Sequence, residues 1–193
     1  MSFRLISFLA FILFLNVSCS KIGLQSSKKR KNAERVDGMR NQVDKAWTSM
    51  IQSDDQKIAD INRLLLEISY SDKYDEPQLA LLKQRAGSLA STRYQQYGMT
   101  SDEIDQYDNA TTSLIRSVLE LADKIPDLDK NDLSAKLRDD ILKADEEVVI
   151  YRIRYDREAK AFNNYLKEEA NMLKKLGEPY SSYKPLPLFE LSQ

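Results

Sequence analysis

Thr100–Ile125 reads TSDEIDQYDNATTSLIRSVLELADKI. Ile104, Tyr107, Thr111, Leu114, Val118, Leu121 and Ile125 recur in it at steps of three and four residues without interruption. That spacing lays one apolar seam along an α-helix and fits it to a neighbouring helix. Thr100 and Glu103 make a capping box at its start, the hydroxyl accepting from one orphan N–H while the carboxylate reaches back to another. Ile125-Pro126 ends it, because the residue before proline is pushed out of helical geometry. A helix with a single greasy seam must bury it, so the flanking sequence has to supply partners.

It supplies three. Val36, Met39, Val43, Trp47, Met50, Ile58, Ile61, Leu65 and Ile68 mark a first helix over about Asn32 to Ser69. After a turn at Ser71 to Glu76, Pro77 suits the opening turn of a second helix, where its missing N–H costs nothing. That helix carries Leu79, Leu82, Ala86, Leu89 and Tyr97 and is expected to end at Gly98. A fourth stripe runs through Leu133, Leu137, Ile141, Ala144, Val148, Tyr151, Tyr155, Ala159, Phe162, Leu166 and Leu173 until Gly177 and Pro179 stop it.

Short connections make consecutive helices antiparallel, so the expected fold is all-α, an up-down-up-down four-helix bundle. The first and fourth helices span roughly 60 and 65 Å against roughly 30 to 38 Å for the middle two. The outer pair therefore continues alone as a coiled-coil-like stalk. Where the bundle narrows, Trp47, Tyr94, Tyr97, Met99 and Tyr155 are expected to form an aromatic layer.

Scarce glycine and proline (five of each in 193 residues) and 31% charged residues agree with solvated helices rather than sheets. Lys and Arg nearly balance Asp and Glu, 29 against 30, leaving no global attraction to nucleic acid. Histidine is absent, which excludes the Ser-His-Asp and Cys-His arrangements, His-based zinc sites and the Glu-x-x-His pattern of di-iron bundles. Asp127 to Asp132 begins like a calcium loop, but Asp132 stands where the sharp-turn glycine belongs and Arg138 where a bidentate Glu is needed. No metal or cofactor is expected. Asp102, Glu103, Asp105 and Asp108 sit where acids complement a helix dipole. Asp54, alone on the first stripe, reads either as the partner of an Arg or as a seam at the bundle's edge, the second being preferred. Tyr151, Arg152, Arg154, Tyr155 and Arg157 read as inward tyrosines and arginines directed to acidic neighbours.

The N-terminus carries Arg4, then an apolar run from Leu5 to Val17, then Ser18 before the only cysteine, Cys19. About 13 residues at 1.5 Å each reach roughly 20 Å, short of a bilayer core of roughly 30 Å. This is the layout of a secretory signal over 1–18. The Cys19 context resembles the bacterial lipoprotein box, with Leu15 one place early and Asn16 in the usual aliphatic site. The resemblance implies acylation of Cys19, a tether over 19–31 and attachment to a membrane on the periplasmic side, the inner leaflet of the outer membrane being preferred. An uncleaved anchor, favoured by Lys21, Lys28, Lys29, Arg30 and Lys31 after the run, and plain secretion stay open.

Arg40-Asn41-Gln42-Val43-Asp44-Lys45-Ala46-Trp47, Pro126-Asp127-Leu128 with Asn131, the set Arg152, Tyr155 and Asn163, and the tail Lys184 to Glu190 together resemble the LemA family. The match covers roughly Asn32 to Leu191. Asp156, Phe162 and Asn62 depart from it. The resemblance implies a helical bundle over 32–176, membrane attachment and a Pro/aromatic tail over 177–193, and it brings no catalytic residue. The function expected is a non-enzymatic scaffold or adaptor for an envelope protein, with Tyr180, Tyr183 and Phe189 as contacts unless the tail packs on the stalk as a strap. A second copy of the chain stays open as a partner. A carboxylate-based envelope enzyme and a small-molecule-binding bundle are the alternatives.

Overall fold

The structure, a computed structural model, describes residues 3–71 and 73–189, with side chains from 27 onward. All regular structure among them is helical: α1 (Phe3–Ser69), α2 (Glu76–Leu89), α3 (Ser101–Asp123), α4 (Asp132–Glu168) and α5 (Ala170–Leu176). Short 3₁₀ turns lie at Ala90–Thr92, Leu128–Lys130 and Tyr180–Ser182. The leader (1–18) and Cys19 fall outside the residues whose side chains are described. Among the described residues no helix is long and apolar enough to cross a membrane.

Every member of the α3 seam named above is buried, and the capping box that starts it is formed, on the exposed side. The Glu103 N–H donates to Thr100 Oγ1 at 3.3 Å, and the Thr100 N–H donates to Glu103 Oε2 at 3.0 Å. Thr100→Ala removes one of these bonds and is expected to lower unfolding free energy by about 1 kcal/mol, read from urea denaturation. Asp75 caps α2 through the Gln78 N–H, and Asn131 caps α4 through the N–H groups of Leu133 and Ser134.

The dominant helix pairing is α1 with α4, while α2 and α3 pack on each other and on α1. Val36, Val43, Tyr155, Ala159 and Phe162 are fully buried in that first pairing's part of a single core, and Leu166 and Leu173 lie with them. Midway along α4 the stripe is less covered: Ala144, Val148 and Tyr151 are only half-buried, which leaves a cleft on that side.

Three expectations need correction. The second helix ends at Leu89, well before Gly98. Hydroxyls at its end and in the 3₁₀ turn that follows, Ser88, Ser91 and Thr92, each donate to the carbonyl three residues back, offering the backbone a local alternative to helix. The chain then runs extended from Arg93, and Gly98 turns it at φ +86°, a conformation that favours glycine. The fourth helix breaks at Glu169 (φ −103°, ψ 20°) before α5 resumes. Finally, α1 begins upstream of Asn32 and runs through the stretch expected as a tether, with Ser27 to Lys31 exposed.

Candidate functional site

Where the irregular segment after α2 crosses α1, an aromatic plate forms. The Trp47 ring lies 5.3 Å from Tyr155 and 6.1 Å from Tyr94, both edge-on, and stacks at 6.5 Å on Phe189. Tyr94 also meets Tyr107 and Phe189 edge-on at 5.7 and 5.6 Å. Edge-to-face pairs of this kind add about 0.5–1.5 kcal/mol each to the area they bury. Met99 is buried close by in the same core. Tyr97 is not in the plate: it is 66% exposed, with the Arg40 guanidinium 5.0 Å from its ring centre and also donating to its hydroxyl.

Phe189 reaches the plate because the tail folds back along α4. Asn163 Nδ2 donates to the Leu186 carbonyl and the Leu186 N–H donates to Asn163 Oδ1, both at 2.8 Å. Further along, the Tyr155 hydroxyl donates to the Pro187 carbonyl at 3.1 Å and the Phe189 N–H donates to Asp156 Oδ1 at 2.9 Å. Tyr183 rests 6.0 Å from the Phe162 ring, and the Tyr180 hydroxyl donates to Asp37 at 3.1 Å. So the residues expected as contacts for a partner lie against their own helices: Phe189 is only 9% exposed, and Tyr180 and Tyr183 are half-buried. The tail is a strap whose register is set by polar side chains of α4. Asn163→Leu keeps the volume but removes both bonds to Leu186, and an increase in proteolytic cleavage at Tyr180 to Phe189 of about fivefold or more is expected for a loss of about 1–2 kcal/mol.

Beside the plate lies a cleft of about 190 Å³, bordered by Asp54, Lys57, Arg93, Asp108, Asp145 and Arg152. The preferred reading of Asp54 as an edge seam is wrong. Its carboxylate accepts from Arg93 Nε at 2.8 Å and from the Tyr107 hydroxyl, with Lys57 Nζ at 3.4 Å, and the Asp54 and Arg93 side chains are each 10% exposed. Lys57 reaches on to Asp145 at 3.2 Å, and Arg93 to Asp55 at 2.7 Å. Across the cleft Arg152 grips Asp108 with two bonds of 2.6 and 2.7 Å and donates to the Tyr94 hydroxyl at 3.2 Å. Its guanidinium lies 4.9 Å from the Phe189 ring centre, joining the polar network to the strap.

Burial works against both buried guanidinium cations, but it is outweighed. Tyr107, Asp55 and Asp54 raise Arg93 above its ordinary value, and Asp108 with Tyr94 does the same for Arg152. Burial raises Tyr107, and its hydrogen bond to Asp54 adds to the rise. Burial pushes Tyr155 up to about 12, with Gln96 pulling it back and Asp156 adding to it. A phenol whose folded pKa lies above its unfolded value of about 10 contributes stability that is intact below pH 10 and lost as pH climbs through the folded value. Stability is therefore expected to fall between about pH 10 and 12, with the late tyrosine ionisation at 295 nm coinciding with loss of helical circular dichroism.

The acids singled out at the start of α3 do not form a set. Glu103 closes the capping box, Asp108 holds Arg152, and Asp102 and Asp105 are exposed. Among the described residues no three His, Cys, Asp or Glu side chains are placed to hold a metal ion. Arg154 and Arg157 point to solvent, whereas Arg152 and Tyr155 are buried. Sequence reasoning missed Arg93, Tyr107 and Phe189 as members of the plate and network. The one signal available was Asp54 itself, an anion on an apolar stripe that required a buried cation. Comparison with family models, with curated proteins and with solved structures finds no match for this chain, so its geometry carries the functional reading.

Proposed function

We propose that this chain is a LemA-like, membrane-attached, non-enzymatic scaffold of the bacterial cell envelope. In this reading the helices run up-down-up-down, and α1 with α4 and α5 continues as a stalk toward an acylated Cys19 facing the periplasm. The observation that carries it is the ion-pair network: Asp54 with Arg93, Lys57 with Asp145, and Asp108 with Arg152 tie α1, α3, α4 and the segment after α2 to one another. Charges spent in this way fix which helices meet and in what register, the best-attested use of buried pairs. A general acid or base instead needs a group within reach of a substrate proton. The exposed basic side chains from Lys28 to Lys31, near the start of the described side chains, suit a position beside anionic headgroups.

Cys19→Ser tests the anchor: acyl labelling should vanish and the protein should move from the membrane to the soluble fraction. Membrane retention without labelling in the wild-type chain would instead support an uncleaved apolar anchor. The scaffold role is tested by in-cell crosslinking from exposed positions, with capture of one defined envelope protein expected. A small-molecule binder is the second reading, favoured by the cleft between Tyr94 and Val149. It requires a ligand-dependent rise in melting temperature that Arg152→Lys abolishes.

A further inference from the structure

We propose that the outward ridge of α4 is a homodimer interface, on which a second copy of this chain lies antiparallel across a two-fold axis. The proposal stands on that ridge alone and goes beyond the scaffold reading. The inward line of α4 is Leu137, Ile141, Arg152, Tyr155, Ala159 and Phe162, all buried. At about 100° per residue the opposite side of the helix falls on 139, 142, 146, 149, 153, 157 and 160, steps of three and four that make a second seam.

A solvated helix face is expected to be charged along its length. This one is apolar at its centre: Leu142, Val149, Ile150 and Ile153 are 46%, 43%, 48% and 54% exposed. They make up half of the large exposed hydrophobic side chains among the described residues, gathered on three turns of one helix. The rest of the ridge is polarised. Toward the start of α4 it presents the exposed acids Asp139 and Glu146, and toward the end the exposed cations Arg157 and Lys160. Arg157 otherwise contacts its neighbour Glu158 at 2.7 Å.

That arrangement is self-complementary in one orientation only. A parallel second copy sets acid on acid and cation on cation. An antiparallel copy centred between Val149 and Ile150 lays Val149 on Ile150 of the partner subunit and Asp139 opposite Lys160 of the partner subunit. It also sets Glu146 within a turn of Arg157 of the partner subunit. The same patch then serves both copies, as an isologous two-fold contact requires. The helix dipoles also run head to tail, the favourable sense. Complementary charge fixes orientation and encounter, while the apolar centre supplies the attraction. An unrelated partner would have no need of a surface whose two ends match each other.

The test is cysteine crosslinking of the full-length chain in intact cells, whichever fraction holds it, under a mild oxidant, with the wild type, which carries only Cys19, as background. Val149→Cys is expected to give a covalent dimer. Asp139→Cys alone and Lys160→Cys alone are expected to give none, whereas the two co-expressed chains give a mixed dimer. Adding Ile153→Glu, which sets a second acid opposite Glu146 of the partner subunit, to Val149→Cys should cut the dimer yield about tenfold or more, with helical circular dichroism unchanged. The proposal is overturned if Val149→Cys gives no dimer above background or couples instead to a different protein. It is equally overturned if Asp139→Cys links to itself as readily as to Lys160→Cys, or if Ile153→Glu leaves the yield intact.

Discussion

Asp54→Ala is expected to destabilise the chain by about 3–5 kcal/mol, the largest effect of any single substitution outside the apolar core. The carboxylate is held between Arg93, Lys57 and the Tyr107 hydroxyl. Removing it leaves a guanidinium and an ammonium, themselves 10% and 3% exposed, facing each other without their common counter-charge. The penalty is that of two desolvated cations left with only their more exposed partners, Asp55 and Asp145, rather than of one lost bond. Asp55→Ala is the internal control: Asp55 meets the same Arg93 at 2.7 Å but is 57% exposed, so solvent screens the pair and the loss should stay under about 1 kcal/mol. Denaturant midpoints of the two variants, compared at equal slope, check the contrast. Equal midpoints would mean that the cleft is wet enough to solvate Arg93 and that the pair does not organise the bundle.

Phe189→Ala is expected to cost about 3 kcal/mol and to loosen the end of the strap. The ring stacks on Trp47, meets Tyr94 and Tyr155 edge-on, and lies under the Arg152 guanidinium. Its loss therefore opens a cavity between the aromatic plate and a buried cation. Trp47 is the chain's single tryptophan, so intrinsic fluorescence reports the event directly. A red shift of emission, together with a lower unfolding midpoint, is the expected result. Combined with Asn163→Leu the loss should be less than the sum, because both substitutions release the same segment. Strict additivity would mean that the two ends of the strap are held independently.

Helix positions were legible from the sequence wherever a seam was long and uninterrupted, and α3 is the clearest case because its cap, its stripe and its proline stop agree. The end of α2 was not. Apolar spacing carried the reading on to Tyr97, while Ser88, Ser91 and Thr92 turned their hydroxyls onto the backbone and ended the helix at Leu89. That one misplacement hid the rest of the network. With Arg93 assigned to a regular helix, nothing placed it against Asp54, so the acid looked like an edge. The plate was legible in Trp47, Tyr94 and Tyr155, which sit on or near periodic stripes. It was illegible in Phe189, whose position depends on hydrogen bonds to main-chain atoms that leave no periodic trace.

Besides its buried side chains, the strap is held by its amide groups. Asn163 and Asp156 grip the main chain at Leu186 and Phe189, and Tyr155 does so at Pro187. A grip of this kind recognises the path of a peptide, and side-chain identity is read only where the strap buries it, at Leu186 and Phe189 above all. Lys184 and Pro185, both exposed, are therefore open to evolutionary drift, while the three α4 side chains that do the gripping are not.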